Sequence, residues 1–331
     1  MGWATSAWRA TPGPTFRSLP PALAMRVANV ARWINRHEPG IRNELYRPER
    51  RYDVAVFVKT MDEASRLEAE RIQAYGGRVV FDANVNYYEI WGEYEVPDTR
   101  PTPEQQQNAI EMTRLADWVV ADSSYLLEIV RKHTDAAAWI PDNVDVRLFR
   151  GRRRHRPRRP LRLVWSGMAH KARHLLVIRE VLASAPDLEL VVVSNEPPGE
   201  LTELGLVVPC RFVLFSLRRY ARVLRTSDVI VSPKRLNNGY ELGHTEWKIT
   251  LGMAVGLPAL ASPQRSYVEA IEHRGGGVVA AGTDEWRDAL ELFGDDSVRS
   301  ELGRRAWETV RARYATSVVA AQYRDVLREL A

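Results

Sequence analysis

Short β-branched runs alternate with segments of helical apolar spacing along almost the whole chain, and no other feature restricts the fold as strongly. A first series reads as strands at 53–59, 78–82, 118–121 and 138–140, with helices at 63–75, 103–115 and 124–132 between them. A second series has strands at 161–165, 188–194, 211–215, 228–231, 259–262 and 277–281. Helices at 172–184, 217–226, 267–272, 283–293 and 297–314 interleave with these, and another runs from His244 to a stop at Gly256-Leu257-Pro258. Runs apolar on both faces belong to buried parallel strands, and repeated β–α alternation closes as a parallel sheet with helices on its faces. Residues 150–160, RGRRRHRPRRP, separate the two series. Seven arginines and two prolines there suit a solvated connection and no core element. The expected fold class is α/β, with two doubly wound parallel-sheet domains at 1–150 and 161–315 and a linker at 151–160. Residues 1–50 are less regular: a strand within 2–9, a turn at Thr11-Pro12-Gly13-Pro14 and a helix at 22–35.

With 331 residues and 45% hydrophobic content the chain can bury two ordinary cores. One cysteine, Cys210, excludes an internal disulfide and fits a reducing compartment. No apolar run approaches the ~18–20 residues that span a bilayer, and the N-terminus lacks the basic start and apolar core of a signal peptide. A cytoplasmic location is expected. The net charge of +5 calls for an anionic partner without naming it. Seven histidines without metal-ligand spacing, one cysteine and no Asp-x-Asp give the expectation of no metal and no cofactor. Gly275-Gly276-Gly277-Val278-Val279-Ala280 spells a dinucleotide fingerprint but precedes a strand, so its geometry is wrong.

Three stretches carry chemistry. In the first, the spacing puts His244, Thr245 and Lys248 on one face of a helix's first turn, at the carboxyl end of a parallel strand. Unpaired N–H groups, a lysine and a hydroxyl together suit a phosphate-like anion. In the second, Ser166-Gly167-Met168-Ala169-His170-Lys171 links a strand to a helix; Gly167 lets backbone approach a ligand and Lys171 reaches a phosphate. In the third, Asp82 and Asn86 follow a first-domain strand, where they face the other domain and could orient an acceptor hydroxyl or simply form a turn.

The run Ser227-Asp228-Val229-Ile230-Val231-Ser232-Pro233, then Lys248, then Met253-Ala254-Val255-Gly256-Leu257-Pro258-Ala259-Leu260-Ala261-Ser262 resembles the donor-binding segment of family 4 glycosyltransferases. The closest variant of that pattern has a lysine five residues before the Met-Ala-x-Gly-x-Pro run, as Lys248 stands here. The resemblance extends from about residue 52 to the end of the chain. It implies the GT-B fold, two Rossmann-like domains facing across a cleft, with a last helix at 316–331 packing back onto the first domain. It also implies transfer of a sugar from a nucleotide-diphosphate sugar to an acceptor hydroxyl, with retention and without a metal. On this reading Lys248, Lys171, Asp82 and Asn86 are catalytic. The donor is held by Gly167, His170, Lys171, Ser216, Gly243, His244, Thr245, Glu246 and Lys248, with Gly13 of the N-terminal loop nearby. The acceptor would be a carbohydrate, a lipid-linked saccharide or a natural product. Two departures stand out. Met168 replaces the usual arginine, and the paired glutamates of many members are Leu251 and Gly243 here, leaving Glu241 or Glu246 as substitutes. A nucleotide-sugar epimerase of the same architecture is the enzymatic alternative. A basic RNA- or membrane-binding protein built around Arg150–Arg159 is the non-catalytic one, and for a transferase the same arginines could give peripheral contact with the inner membrane face, with no nucleic acid partner expected.

Overall fold

The computed structural model describes residues 1–6, 8–10, 15–157, 159–185 and 187–330. It contains two six-stranded sheets, and all registered strand pairs are parallel. The first holds β1 (Gly2–Ala4), β2 (Glu44–Leu45), β3 (Val54–Val58), β4 (Arg78–Ala83), β5 (Trp118–Ala121) and β6 (Ala137–Trp139), in the order β2-β1-β3-β4-β5-β6. The second holds β7 (Leu161–Ser166), β8 (Leu188–Ser194), β9 (Cys210–Leu214), β10 (Val229–Ser232), β11 (Ala259–Ala261) and β12 (Gly277–Val279), in the order β12-β11-β10-β7-β8-β9. Each order reverses direction once, between β1 and β3 and between β7 and β10. Such reversals open a crevice at the carboxyl ends of the strands.

Both faces of each sheet are covered, which explains the unalternated apolar runs. In β3, Ala55 and Phe57 pack with Ile72 and Met112, while Val54, Val56 and Val58 pack with Val27, Ile34 and Tyr323. Helix starts follow local capping chemistry. Thr102 and Gln105 form a capping box before Pro103–Leu115, and Asp62, Ser123 and Ser216 each accept a hydrogen bond from the first turn they precede. The last helix, Thr316–Leu330, lies on Val30–His37 beside the first sheet, burying Val319, Tyr323 and Leu327 there.

The stretch at 150–160 packs more closely than a solvated connection. Arg153 Nη2 lies 3.2 Å from the buried Asp228 carboxylate, and its backbone N–H donates to Val255 O at 2.6 Å. His155 is buried with Nε2 2.9 Å from Gly256 O. Arg150, Arg152, Arg154 and Arg156 point to solvent. No helix among the described residues is long and apolar enough to cross a membrane.

Candidate functional site

The crevice between β7 and β10 holds a cluster of cations, Lys171 and Lys234 buried and Lys248 half-buried. Lys171 follows β7, Lys234 stands two residues past the end of β10, and Lys248 belongs to the helix Trp247–Met253 that comes after it. Lys171 Nζ is 3.0 Å from His244 Nε2, 3.4 Å from Tyr240 Oη and 4.9 Å from the centre of the Tyr240 ring. Lys234 Nζ is 3.0 Å from Glu241 Oε2, and His174 Nε2 is 3.4 Å from Glu241 Oε1. Lys248 Nζ lies 5.7 Å from the Trp165 ring centre and makes no ion pair among the described residues. Gly167 is required at this spot: a Cβ there would meet the Trp165 ring at 2.7 Å and stand 3.5 Å from Lys248 Nζ.

One carboxylate, Glu241, therefore faces three lysines and two histidines. Burial, together with Lys234 and Lys59, lowers the Lys171 ammonium to about 8 although Glu241 pulls the other way. Burial and the neighbouring lysines push Lys248 and His244 well below their ordinary values. Glu241 shows the converse. Burial opposes its charge, yet Lys234, His174, His244 and Lys171 outweigh burial and hold it well below the usual carboxylate range. Excess positive charge away from water favours binding a multiply charged anion.

A second charged cluster lies on the first sheet's side. The Arg26 guanidinium binds Asp82 through Nε (2.9 and 3.0 Å) and Nη2 (2.8 Å), and Asp142 through Nη1 (2.8 Å). Tyr323 Oη donates to Asp82 Oδ2 at 2.7 Å, and Thr245 Oγ1 donates to Asp142 Oδ2 at 3.0 Å. Near it, Asp122 and Glu246 are buried acids whose carboxylates find no hydrogen-bond partner among the described residues, and burial pushes both carboxyls well above the usual range.

The structure brings together Gly167, Lys171, His244 and Lys248, with exposed His170 within electrostatic reach of Lys171 and Lys248. It separates the others. The helix begins at Trp247, because the preceding residues are spent on a short turn of helix at Gly239–Leu242. His244 and Thr245 thus precede the helix and share no face with Lys248; Thr245 turns to Asp142. Glu246 ends on the acid side. Gly243 packs under Asn86, where a Cβ would stand 2.7 Å from the Asn86 Cβ, and its N–H already donates to Gly239 O. Ser216 is an exposed helix cap whose Oγ accepts from Arg219 N–H.

The reading of Asp82 and Asn86 as acceptor-facing groups is corrected. Asp82 has no exposure, and both its oxygens are taken by Arg26 and Tyr323. Asn86 is also buried; its Nδ2 donates to Gly239 O (3.0 Å) and Glu89 Oε2 (3.2 Å), and its Oδ1 accepts from Tyr88 N–H. It ties the two halves together. Gly13 lies outside the described residues. The pairing of Lys234 with Glu241 has one sequence signal, the place of Lys234 just past the carboxyl end of a strand, as for Lys171.

No protein-family model and no curated protein matches this chain. Solved structures do. Anabaena Alr3699/HepE in complex with UDP superposes with a TM-score of 0.68 at 13% identity, covering 99% of this chain and 100% of that one. Sucrose-phosphate synthase (tll1590) from Thermosynechococcus elongatus gives 0.66 at 14% identity, covering 84% and 74%. S. aureus TarM, in a complex containing UDP, gives 0.63 at 12% identity over 90% of this chain and 58% of the TarM chain. The chain has the GT-B fold.

Proposed function

We propose that this chain transfers a glycosyl group from a nucleotide-diphosphate sugar to an acceptor hydroxyl. The observation that carries the proposal is the under-neutralised trio Lys171, Lys234 and Lys248 at the β7–β10 crevice, facing the other half of the molecule. The binding of UDP by the similar HepE structure supports a uridine donor.

In the reaction the bond between the anomeric carbon and the diphosphate oxygen breaks, its electron pair goes to the diphosphate, the acceptor oxygen bonds to the anomeric carbon, and the hydroxyl proton is released. Negative charge grows on the diphosphate as that bond lengthens, so lysines already desolvated around it stabilise the transition state more than the ground state. Lys171 and Lys248 are the members without a carboxylate partner among the described residues. Lys234, paired with Glu241, fixes the cluster's geometry. Gly167 lets the diphosphate approach between Trp165 and Lys248. Retention of configuration and independence of metal belong to the same proposal, with the lysines supplying the charge a divalent ion would otherwise supply. So does a role in bacterial polysaccharide, glycolipid or natural-product glycosylation. Exposed Arg150, Arg152, Arg154 and Arg156 suit peripheral attachment to an anionic membrane face. Co-sedimentation with phosphatidylglycerol vesicles, and none with phosphatidylcholine vesicles, is the expected result.

The test is UDP release from UDP-glucose and other UDP-sugars with an acceptor panel. Lys248→Ala is expected to lower kcat about 10²–10³-fold while the melting temperature stays within a few degrees. Wild-type turnover in that variant removes the lysine from the reaction. Activity that survives EDTA is expected; loss restored by Mg²⁺ or Mn²⁺ contradicts metal independence.

A further inference from the structure

The first sheet has its own crevice, at the β1–β3 reversal, and it holds a cavity of about 410 Å³ lined by Ser6, Lys59, Asn84, Asp142, Met25 and Trp247, among others. Ser6 follows β1, Lys59 follows β3 and Asn84 follows β4, so three strand ends open into one space that Trp247 of the second half closes. That volume is in the range of small-ligand sites.

The acid and the base at this cavity are not paired with each other. Asp142 is already held by Arg26 at 2.8 Å and by Thr245 at 3.0 Å. Lys59 is exposed at the mouth of the cavity and has no ion-pair or hydrogen-bond partner for its ammonium among the described residues, so the group is open to a ligand; it sits 5.7 Å from the centre of the Tyr87 ring. Asp122, an unpartnered acid within electrostatic reach of Lys59, is a weak counter-ion because burial pushes its carboxyl up. The Ser6 hydroxyl and the Asn84 amide likewise make no side-chain hydrogen bond among the described residues. Lys59 is also held at φ +57°, a conformation unusual for a residue with a side chain, while its N–H donates to Asp82 O at 3.0 Å. A non-glycine residue kept there against its preference is typical of a residue placed for binding.

The geometry points to an acceptor subsite that selects a saccharide or polyol bearing an anionic group, a carboxylate or a phosphate, with Lys59 as its specificity-determining residue. This rests on the transferase reading, since it assigns the acceptor's place opposite the lysine trio. Lys59 meets the anionic group, Ser6 and Asn84 meet hydroxyls, and Met25 and Trp247 cover the apolar faces of the ring.

Calorimetric titrations with glucuronate, glucose 6-phosphate and glucose, with and without UDP, test it. At least one anionic sugar is expected to bind about tenfold or more tightly than glucose, and which of the two does so tells carboxylate from phosphate. Lys59→Gln is expected to abolish that preference and Lys59→Arg to keep it. Equal binding of the three sugars, no binding of any, or a preference that survives Lys59→Gln overturns the inference. Failure of the wild-type protein to bind UDP or any other nucleotide diphosphate counts instead against the transferase reading, and is read in the same experiment.

Discussion

Two charged clusters face each other across the cleft, one buried and one in part half-buried, and they differ in whether their charges are satisfied. In the first half, Arg26 is shared by Asp82 and Asp142, and Tyr323 and Thr245 complete the bonding. That cluster needs nothing further. In the second half, three lysines and two histidines share Glu241, and Lys248 makes no ion pair among the described residues. Residue type alone would rank Asp82 and Lys248 equally as catalytic candidates. Satisfaction separates them: a fully bonded buried ion pair holds structure, while a half-buried lysine with no carboxylate partner is left to take up an anion.

This contrast can be broken from either side. The largest expected effect is on the satisfied cluster. Asp82→Ala leaves the Arg26 guanidinium buried beside Asp142 alone and is expected to cost about 3–5 kcal/mol of stability, measured by urea unfolding. A loss of activity with unchanged stability would return Asp82 to the reaction.

A smaller effect is expected from pH on the unsatisfied cluster. With Lys171 lowered to about 8, raising the pH from about 7 to about 9 is expected to weaken UDP binding roughly tenfold, because only the protonated fraction is competent. The sign for stability is opposite. Its folded value lies below the ordinary 10.5, so between about 8 and 10.5 the unfolded chain binds more protons and this group's contribution to stability rises with pH. Glu241, Lys234, Lys59, Lys248, Tyr240, His170 and His244 are the charged or titratable neighbours, and Lys171→Gln is expected to flatten the affinity profile. A profile that stays steep in Lys171→Gln assigns the titration elsewhere.

The smallest effect concerns the tie between the halves. Asn86→Ala removes the bond to Gly239 O and is expected to cost about 1 kcal/mol, seen as faster amide exchange at 239–243 with unfolding nearly unchanged. Unchanged exchange there would mean that Asn86 does not hold the halves together.

Much of the fold was legible in the sequence because local and global signals agree. The helices Pro103–Leu115 and Leu217–Thr226 and the strands Trp118–Ala121 and Leu188–Ser194 fall where periodicity and caps put them. The two-residue strand Glu44–Leu45 and the single turn Leu201–Leu204 are too short to show a period. The site was legible in part. Lys171 and Lys248 stand out by their place after strands. Thr245 and Glu246 were drawn into the same group because sequence spacing cannot show that Gly239–Leu242 uses up the first turn and delays the helix to Trp247. Asp82 and Asn86 were misjudged because exposure depends on what packs over a strand end. In this molecule Arg26 and Tyr323 come from opposite ends of the chain to do so.

The most direct measurement is calorimetric titration of UDP into the wild-type protein and into the Lys171→Gln/Lys248→Gln double variant. One UDP per chain is expected for the wild type, with affinity falling as salt rises, and at least a hundredfold loss in a double variant that still unfolds cooperatively. Equal affinity in the two proteins, or no binding of any nucleotide diphosphate by the wild type, contradicts the claim that the lysine trio is a diphosphate site.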